Sequence, residues 1–260
     1  MNFVNALECL LPVVDGVHAR WESARVEMMS RHESNPESLR VTCTKGCGAC
    51  CHFPIIPATG GEAFVLLARL LAEGRTLEEL HSQFMTYARR YLEHAQRNQS
   101  LPLTDDQQRK FLHEKLPCPL FVATADIGPM GGYCGVYAYR PLICDFFHSL
   151  ESPELCLLKK PHASFSDVSE RGHEAIDEVR AIERELFGRS VLGHLPLLMA
   201  ALLTDSGMKS FLTRVEIDPN EENAQDIADF GLYVELISCL GYGWGDAEWA
   251  SLAIAQAEMI

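Results

Sequence analysis

Positive charge is what this chain has least of. Lys and Arg number 22 against 36 Asp and Glu, a formal net charge of −14, and no long Lys/Arg run stands anywhere in the sequence. A summed field of that sign repels phosphate, which excludes a generic hold on nucleic acid or on an anionic membrane. A basic leader is missing too. The apolar N-terminus, "MNFVNALECLLPVVDGVHARW", carries Glu8 and Asp15 inside it, which makes a poor secretory signal and too short and charged a stretch to span a membrane. The expectation is a cytoplasmic protein with no membrane and no nucleic-acid partner, whose acidic surface leaves room for an unknown basic protein partner.

Familiar catalytic signatures are also absent. There is no phosphate-binding P-loop, no G-x-S-x-G elbow, no acidic loop with calcium spacing and no histidine pair at H-x-x-x-H spacing. "GYGWG" at 241–245 echoes a nucleotide-binding glycine loop, but Ile227, Phe230, Val234 and Ile237 before it recur at helical spacing. The glycines therefore read as a helix stop. No internal repeat or low-complexity tract is visible.

What is present is apolar content, 47% against 22% charged, enough for a large core in 260 residues. Phe3, Leu7, Leu10, Val14, Val17, Trp21, Ala24 and Met28 mark one face of an amphipathic helix, kinked or restarted at Pro12. "EAFVLLARLLAEG" predicts a helix stopped by Gly74, and Thr76 with Glu79 predicts a capping box before Leu77, Leu80, Phe84, Tyr87 and Tyr91. A further short helix is predicted to end near His113. Between 117 and 165, "CPLFVATAD", "YCGVYAY" and "LICDFF" read as small strands broken by turns. Helices resume at Ala175, Val179, Ile182 and Leu186, at "PLLMAALL", over 227–237 and at "DAEWASLAIAQA". The predicted class is mainly α: a helical scaffold around an irregular cysteine-rich metal-binding core with a few short strands. The division is an N-terminal helical segment at 1–36, a cysteine-cluster domain at 37–165 with a helical insertion about 60–115, and a C-terminal helical region at 166–260.

Ten cysteines are many for a reducing compartment, where they point to metal or redox chemistry more than to bridges. "CTKGCGACCHFP" packs four of them into nine residues, Cys43, Cys47, Cys50 and Cys51. The Cys47-x2-Cys50 spacing lets two thiolates from one turn converge on an ion, with Gly46 and Gly48 supplying backbone freedom. Cys118, Cys134 and Cys144 lie beside turn-forming prolines and glycines and can complete a four-ligand set. Cys156 reads equally as ligand or core. Eight thiols permit two four-cysteine sites, or one site with reactive spares. The adjacent Cys50 and Cys51 do not easily aim at one point. Cys9 and Cys239, on apolar helical faces, read as packing residues. His52 and His148 can ligate, although lone histidines are more often hydrogen-bonded or exposed.

These residues resemble the YkgJ-type cysteine-cluster family, with its zinc- or iron-chelating CxxCxxCC domain. The first motif is similar to Cys43-x3-Cys47-Gly48-Ala49-Cys50-Cys51. The second is similar to Cys118-Pro119-x-Phe121, then Cys134-x-Val136-Tyr137, then Arg140-Pro141-x2-Cys144. The resemblance covers about 41–150. Where family members often carry a basic residue after the last cysteine, this chain has Asp145. It implies a bound metal, an iron–sulfur cluster or zinc, and names no reaction. Flagellin lysine methylases share a similar cysteine pattern.

The leading expectation is a metal-binding protein with an iron–sulfur cluster, in electron transfer or oxidoreductase-type chemistry, since thiolate-only ligation and more than four ligands suit iron and sulfide. A structural zinc scaffold for protein–protein contact is the alternative, and a protein lysine methyltransferase-like enzyme a weaker one.

Overall fold

The computed structural model describes residues 1–43, 47–53, 55–97, 116–124, 131–146, 148–151, 155–156, 168–218 and 223–240. Mainly helical, as predicted, these residues form eight α-helices and two two-stranded sheets.

Helix α1, Phe3–Ser34, begins where the Asn2 side chain accepts the Asn5 N–H and runs unbroken through Pro12. It ends at Asn35, whose extended ψ of 113° is what a residue before Pro36 must adopt. Its buried stripe, Ala6, Leu10, Val14, Val17 and Trp21, faces α2 (Gly60–Ala72) and α5 (Val168–Phe187). Cys9 lies off that stripe and is exposed, and Cys239 is only half-buried, so neither is the core residue that its helix suggested.

Helix α2 stops at Gly74, whose φ of +91° a side chain would strain, as expected. Thr76 Oγ1 does accept the Glu79 N–H ahead of α3, Leu77–Arg97. The complete reciprocal capping box is one element earlier, in "TGGE": Thr59 Oγ1 accepts from Glu62 N and the Glu62 carboxylate from Thr59 N.

Strands β2 (Phe121–Ala123) and β3 (Gly132–Cys134) form an antiparallel hairpin in the predicted region, with Phe121 opposite Cys134. "LICDFF" is not a strand. It forms the short helix α4, Leu142–Phe146, because Pro141 pre-sets the first turn and the Leu142 N–H is taken by Glu62 Oε1 at 2.8 Å. The other sheet, which sequence periodicity did not reveal, pairs β1 (Pro57–Thr59) with β4 (Leu192–His194). β1 feeds α2, and β4 feeds the helix that follows it, Leu195–Leu202.

Helix α6, Leu195–Leu202, is buried on every side and sits at the centre of the core against α2, α3, α7 (Asp205–Leu212) and α8 (Ala224–Ser238). Each buried leucine there contributes about 1.5–3 kcal/mol. In α8 the helix is as expected but its buried face is so only in part. Ile237 is buried as predicted, while Ile227 and Val234 are exposed and Asp229, Leu232 and Leu236 are buried instead. Asp229 turns in because it collects Arg184 and the Ser190 N–H and hydroxyl.

Among the described residues no helix is long and apolar enough to cross a membrane. The predicted helices near His113 and at "DAEWASLAIAQA", and the glycines of "GYGWG", lie outside the described residues.

One buried carboxyl makes stability pH-dependent. Glu183, fully buried, accepts from Gly61 N at 2.7 Å and Val191 N at 3.1 Å, tying α5 to the start of α2 and to β4. Burial outweighs these bonds and pushes its pKa from 4.5 to about 8. The folded state therefore holds this proton more tightly than the unfolded chain. The associated stability is complete below about pH 4.5 and is lost as pH rises through about 8, on the order of 5 kcal/mol in all. Urea midpoints from pH 5 to 9 should fall more steeply for the native chain than for Glu183→Gln; parallel curves would refute this.

Candidate metal centre

The residues from Gly48 to His52 form a single 3-10 turn, Ala49–His52, closed by Cys51 N donating to Gly48 O at 3.0 Å. The turn sets Cys50 and Cys51 side by side. Gly48 is not there for conformational freedom, since its φ of −95° is ordinary. A β-carbon on it would stand 2.5 Å from the Phe121 ring and 2.9 Å from the Gly132 carbonyl oxygen. The turn is pressed onto the β2–β3 hairpin and only glycine fits. Gly46 lies outside the described residues.

The two cysteine stretches meet directly, as their spacing allowed. Cys118 N donates to Cys51 O at 2.6 Å across the ends of the α2–α3 segment. Cys47, Cys50, Cys51, Cys118, Cys134 and Cys144 then line one pocket enclosing about 440 Å³, its mouth included. Among the described residues its remaining wall is apolar (Ile56, Leu120, Val136, Pro141 and Leu195) apart from one cation, Arg140. The β1–β4 sheet brings two of these together at its end, Ile56 just before β1 and Leu195 just after β4, with Leu195 N donating to Ile56 O at 2.8 Å.

Cys43 and Cys156, the other two predicted ligands, lie outside the pocket lining. Both are held by Ser149. Its N–H donates to Cys43 Sγ at 3.1 Å and its hydroxyl bonds Cys156. Thr42 pins this contact from the other side, donating its N–H to Ser149 O at 2.8 Å. His52 packs edge-on against the Phe121 ring, 4.8 Å between centroids, and His148 is buried near Asp145. Burial lowers both their pKa values, and neither lines the pocket.

Burial dominates the thiols' acidity. It pushes Cys50 and Cys118 up to about 12 and Cys144 well above the usual thiol range. Cys51 and Cys134 behave as a pair. The hydrogen bond between them raises Cys51 and lowers Cys134 to about 7, the latter also favoured by Val136 N–H and Arg140. Among the described residues Arg140 is the one cation on this lining, and one cation does not offset six thiolates; ionising more of them would need further positive charge, of the kind that a metal ion carries.

Arg140 is positioned by a knot that sequence reasoning did not foresee. Its guanidinium stacks over Tyr137 at 4.1 Å and pairs with Asp145. Asp145 also accepts from Trp21 Nε1 at 3.0 Å and forms an ion pair with Arg25, whose Nε lies 3.1 Å away. The acidic residue that replaces the expected basic one thus fixes two arginines beside the cysteines.

Behind the pocket wall, His194 Nδ1 accepts the Ile56 N–H at 3.0 Å, and burial holds the ring neutral, its pKa lowered to about 3. The proton is therefore on Nε2, which donates to Tyr87 Oη at 3.0 Å.

Among the described residues no three His, Cys, Asp or Glu side chains converge in ready metal-ligating geometry. Each cysteine sulfur moves on a single side-chain torsion. The donor set itself, soft thiols in an apolar enclosure, suits zinc or an iron–sulfur cluster and not hard oxygen-seeking cations. Searches against family models, curated proteins and solved structures found no match.

Proposed function

We propose that this chain is a metal-binding cysteine-cluster protein that carries an iron–sulfur cluster and works in electron transfer or oxidoreductase-type chemistry, in keeping with its resemblance to the YkgJ-type family. The observation that carries the reading is the gathering of six cysteines, Cys47, Cys50 and Cys51 from the first stretch and Cys118, Cys134 and Cys144 from the later one, around one apolar pocket with a single arginine among the described residues. Thiolate-only donors in numbers beyond four favour a cluster over one zinc ion. Arg140 offsets part of the negative charge that such ligation builds up, and an apolar wall keeps water from the sulfurs. Both are means by which a protein tunes a cluster's reduction potential.

The test is anaerobic reconstitution with iron and sulfide, followed by dithionite. The expected result is a broad visible band that bleaches on reduction and returns on reoxidation. A chain that stays colourless, binds zinc stoichiometrically and loses its hairpin region on chelation would instead establish the structural-zinc scaffold.

A further inference from the structure

Cys144 reaches the pocket from α4, a helix of only five residues, which is too short to hold its own geometry. Leu142, its first residue, is fully buried, and α4 packs against α5. Such packing keeps α4 on the core but is non-directional. A directional hold comes from a side chain 80 positions away. Glu62, in the first turn of α2, is 4% exposed and commits both carboxylate oxygens to backbone N–H groups. Oε2 accepts from Thr59 at 3.0 Å, at the end of β1, and Oε1 accepts from Leu142 at 2.8 Å. His18 of α1 brings its Nε2 to 3.5 Å from the same Oε1. Four elements, α1, β1, α2 and α4, thus meet at one carboxylate.

Both arms of this clamp lead to the pocket lining. Pro141, just before Leu142, and Cys144, two residues after it, line the pocket. Cys144 N donates to Pro141 O at 2.9 Å, so the turn that carries the thiol moves with Leu142. Ile56, three residues before Thr59, lines the pocket as well. The two arms need two acceptor oxygens. Glutamine serves an ordinary capping box, but it has one carbonyl oxygen, and its NH2 would face the second donor. Glutamine at 62 can therefore cap Thr59 or hold Leu142, not both. The cap alone does not require the acid; the hold on α4 does.

We propose that Glu62 is a positioning residue of the cysteine pocket: its carboxylate, bonded to the Leu142 N–H, sets where Cys144 stands among the other thiols and so what the pocket can hold. This rests on the reading of the pocket as a metal site and deepens it with a scaffold residue that does not itself line the pocket.

The experiment compares Glu62→Gln with Thr59→Ala. The latter removes the other half of the capping box, the Glu62 N–H to Thr59 Oγ1 bond, and spares the bond to Leu142. The reduced, metal-free full chain is labelled with a maleimide and each thiol is followed by peptide mass mapping. Cys118 lines the same pocket without being carried by α4, and is the internal reference. In Glu62→Gln the Cys144 rate should rise about tenfold relative to Cys118, as local opening of a turn with one unpaired buried N–H implies. Thr59→Ala should keep the native ratio. An unchanged ratio in Glu62→Gln, or the same change in both variants, would overturn the proposal, since loosening of the whole scaffold frees both thiols alike. Hydrogen exchange on the native chain needs no variant: the Leu142 amide should exchange as slowly as the interior of α2, and exchange at the rate of a surface loop would overturn the proposal too. Loading with iron and sulfide, and separately with zinc, separates the two readings. Uptake by the native chain with a marked loss in Glu62→Gln alone supports both. A native chain that binds neither overturns the metal reading, while the labelling ratio still decides the positioning.

Discussion

Asp145→Ala is expected to destabilise the protein by about 3 kcal/mol, the low end for breaking a buried ion pair, because the arginines concerned retain some contact with water. The Asp145 carboxylate is about one-eighth exposed and serves Arg140, Arg25 and Trp21 at once. Removing it leaves two guanidinium groups close together without their common anion, and an indole N–H without its acceptor. A lower urea midpoint at unchanged slope would be the signature. The effect should reach the cysteines as well. Arg140 is the one cation on the pocket wall among the described residues, and without its anchor it can turn away toward solvent. Cys134 should then lose part of its depressed pKa, visible as slower reaction with a thiol reagent near pH 7. Stability within 1 kcal/mol of the native chain, with unaltered thiol reactivity, would mean that Asp145 is a surface acid and the knot idle.

Gly132→Ala should be worse for the site than for the scaffold. The added methyl would stand 2.2 Å from the Val122 carbonyl oxygen and 2.5 Å from the Phe121 ring. A phenyl ring can swing aside; strand backbone cannot. Overpacking of this kind costs about 1–3 kcal/mol, and here relief means parting β2 from β3. Phe121 seats the cysteine turn on the hairpin, and Cys134 is two residues from the substitution. The expected outcome is strongly reduced metal loading with near-native helical circular dichroism. Gly231→Ala is the control. Gly231 lies inside α8 with nothing within 4 Å of an added β-carbon, so alanine there should stabilise by roughly 0.5–1 kcal/mol. Equal metal loading by the two variants would remove the argument that hairpin packing shapes the site.

How much of this was legible beforehand depends on the kind of force involved. Helix periodicity reports burial of one face, and it located α1, α2, α3, α5, α6 and α8. It misjudged part of α8's buried face because the pull there is polar, Asp229 drawn inward by Arg184 and Ser190, and apolar spacing carries no record of that. It misread "LICDFF" because a strand and a buried helical turn look alike over six residues. The deciding contact, Glu62 to Leu142 N, spans 80 positions. The capping box at Thr59 was readable in "TGGE" and passed over. The cysteines were legible as a group because turn chemistry and spacing are local. The hold of Ser149 on Cys43 and Cys156 was not, since a serine beside no cysteine in sequence gives no signal. Gly48 carried a correct flag for an incorrect reason: close approach of the hairpin, not a left-handed turn.

The most direct test of the metal reading is iron, zinc and acid-labile sulfide determined on one sample of the full chain, purified without oxygen and without added metal. The account predicts iron and sulfide in equal amounts and a brown protein. Zinc without iron or sulfide, persisting after reconstitution, would contradict it and leave a zinc-stapled helical scaffold in its place.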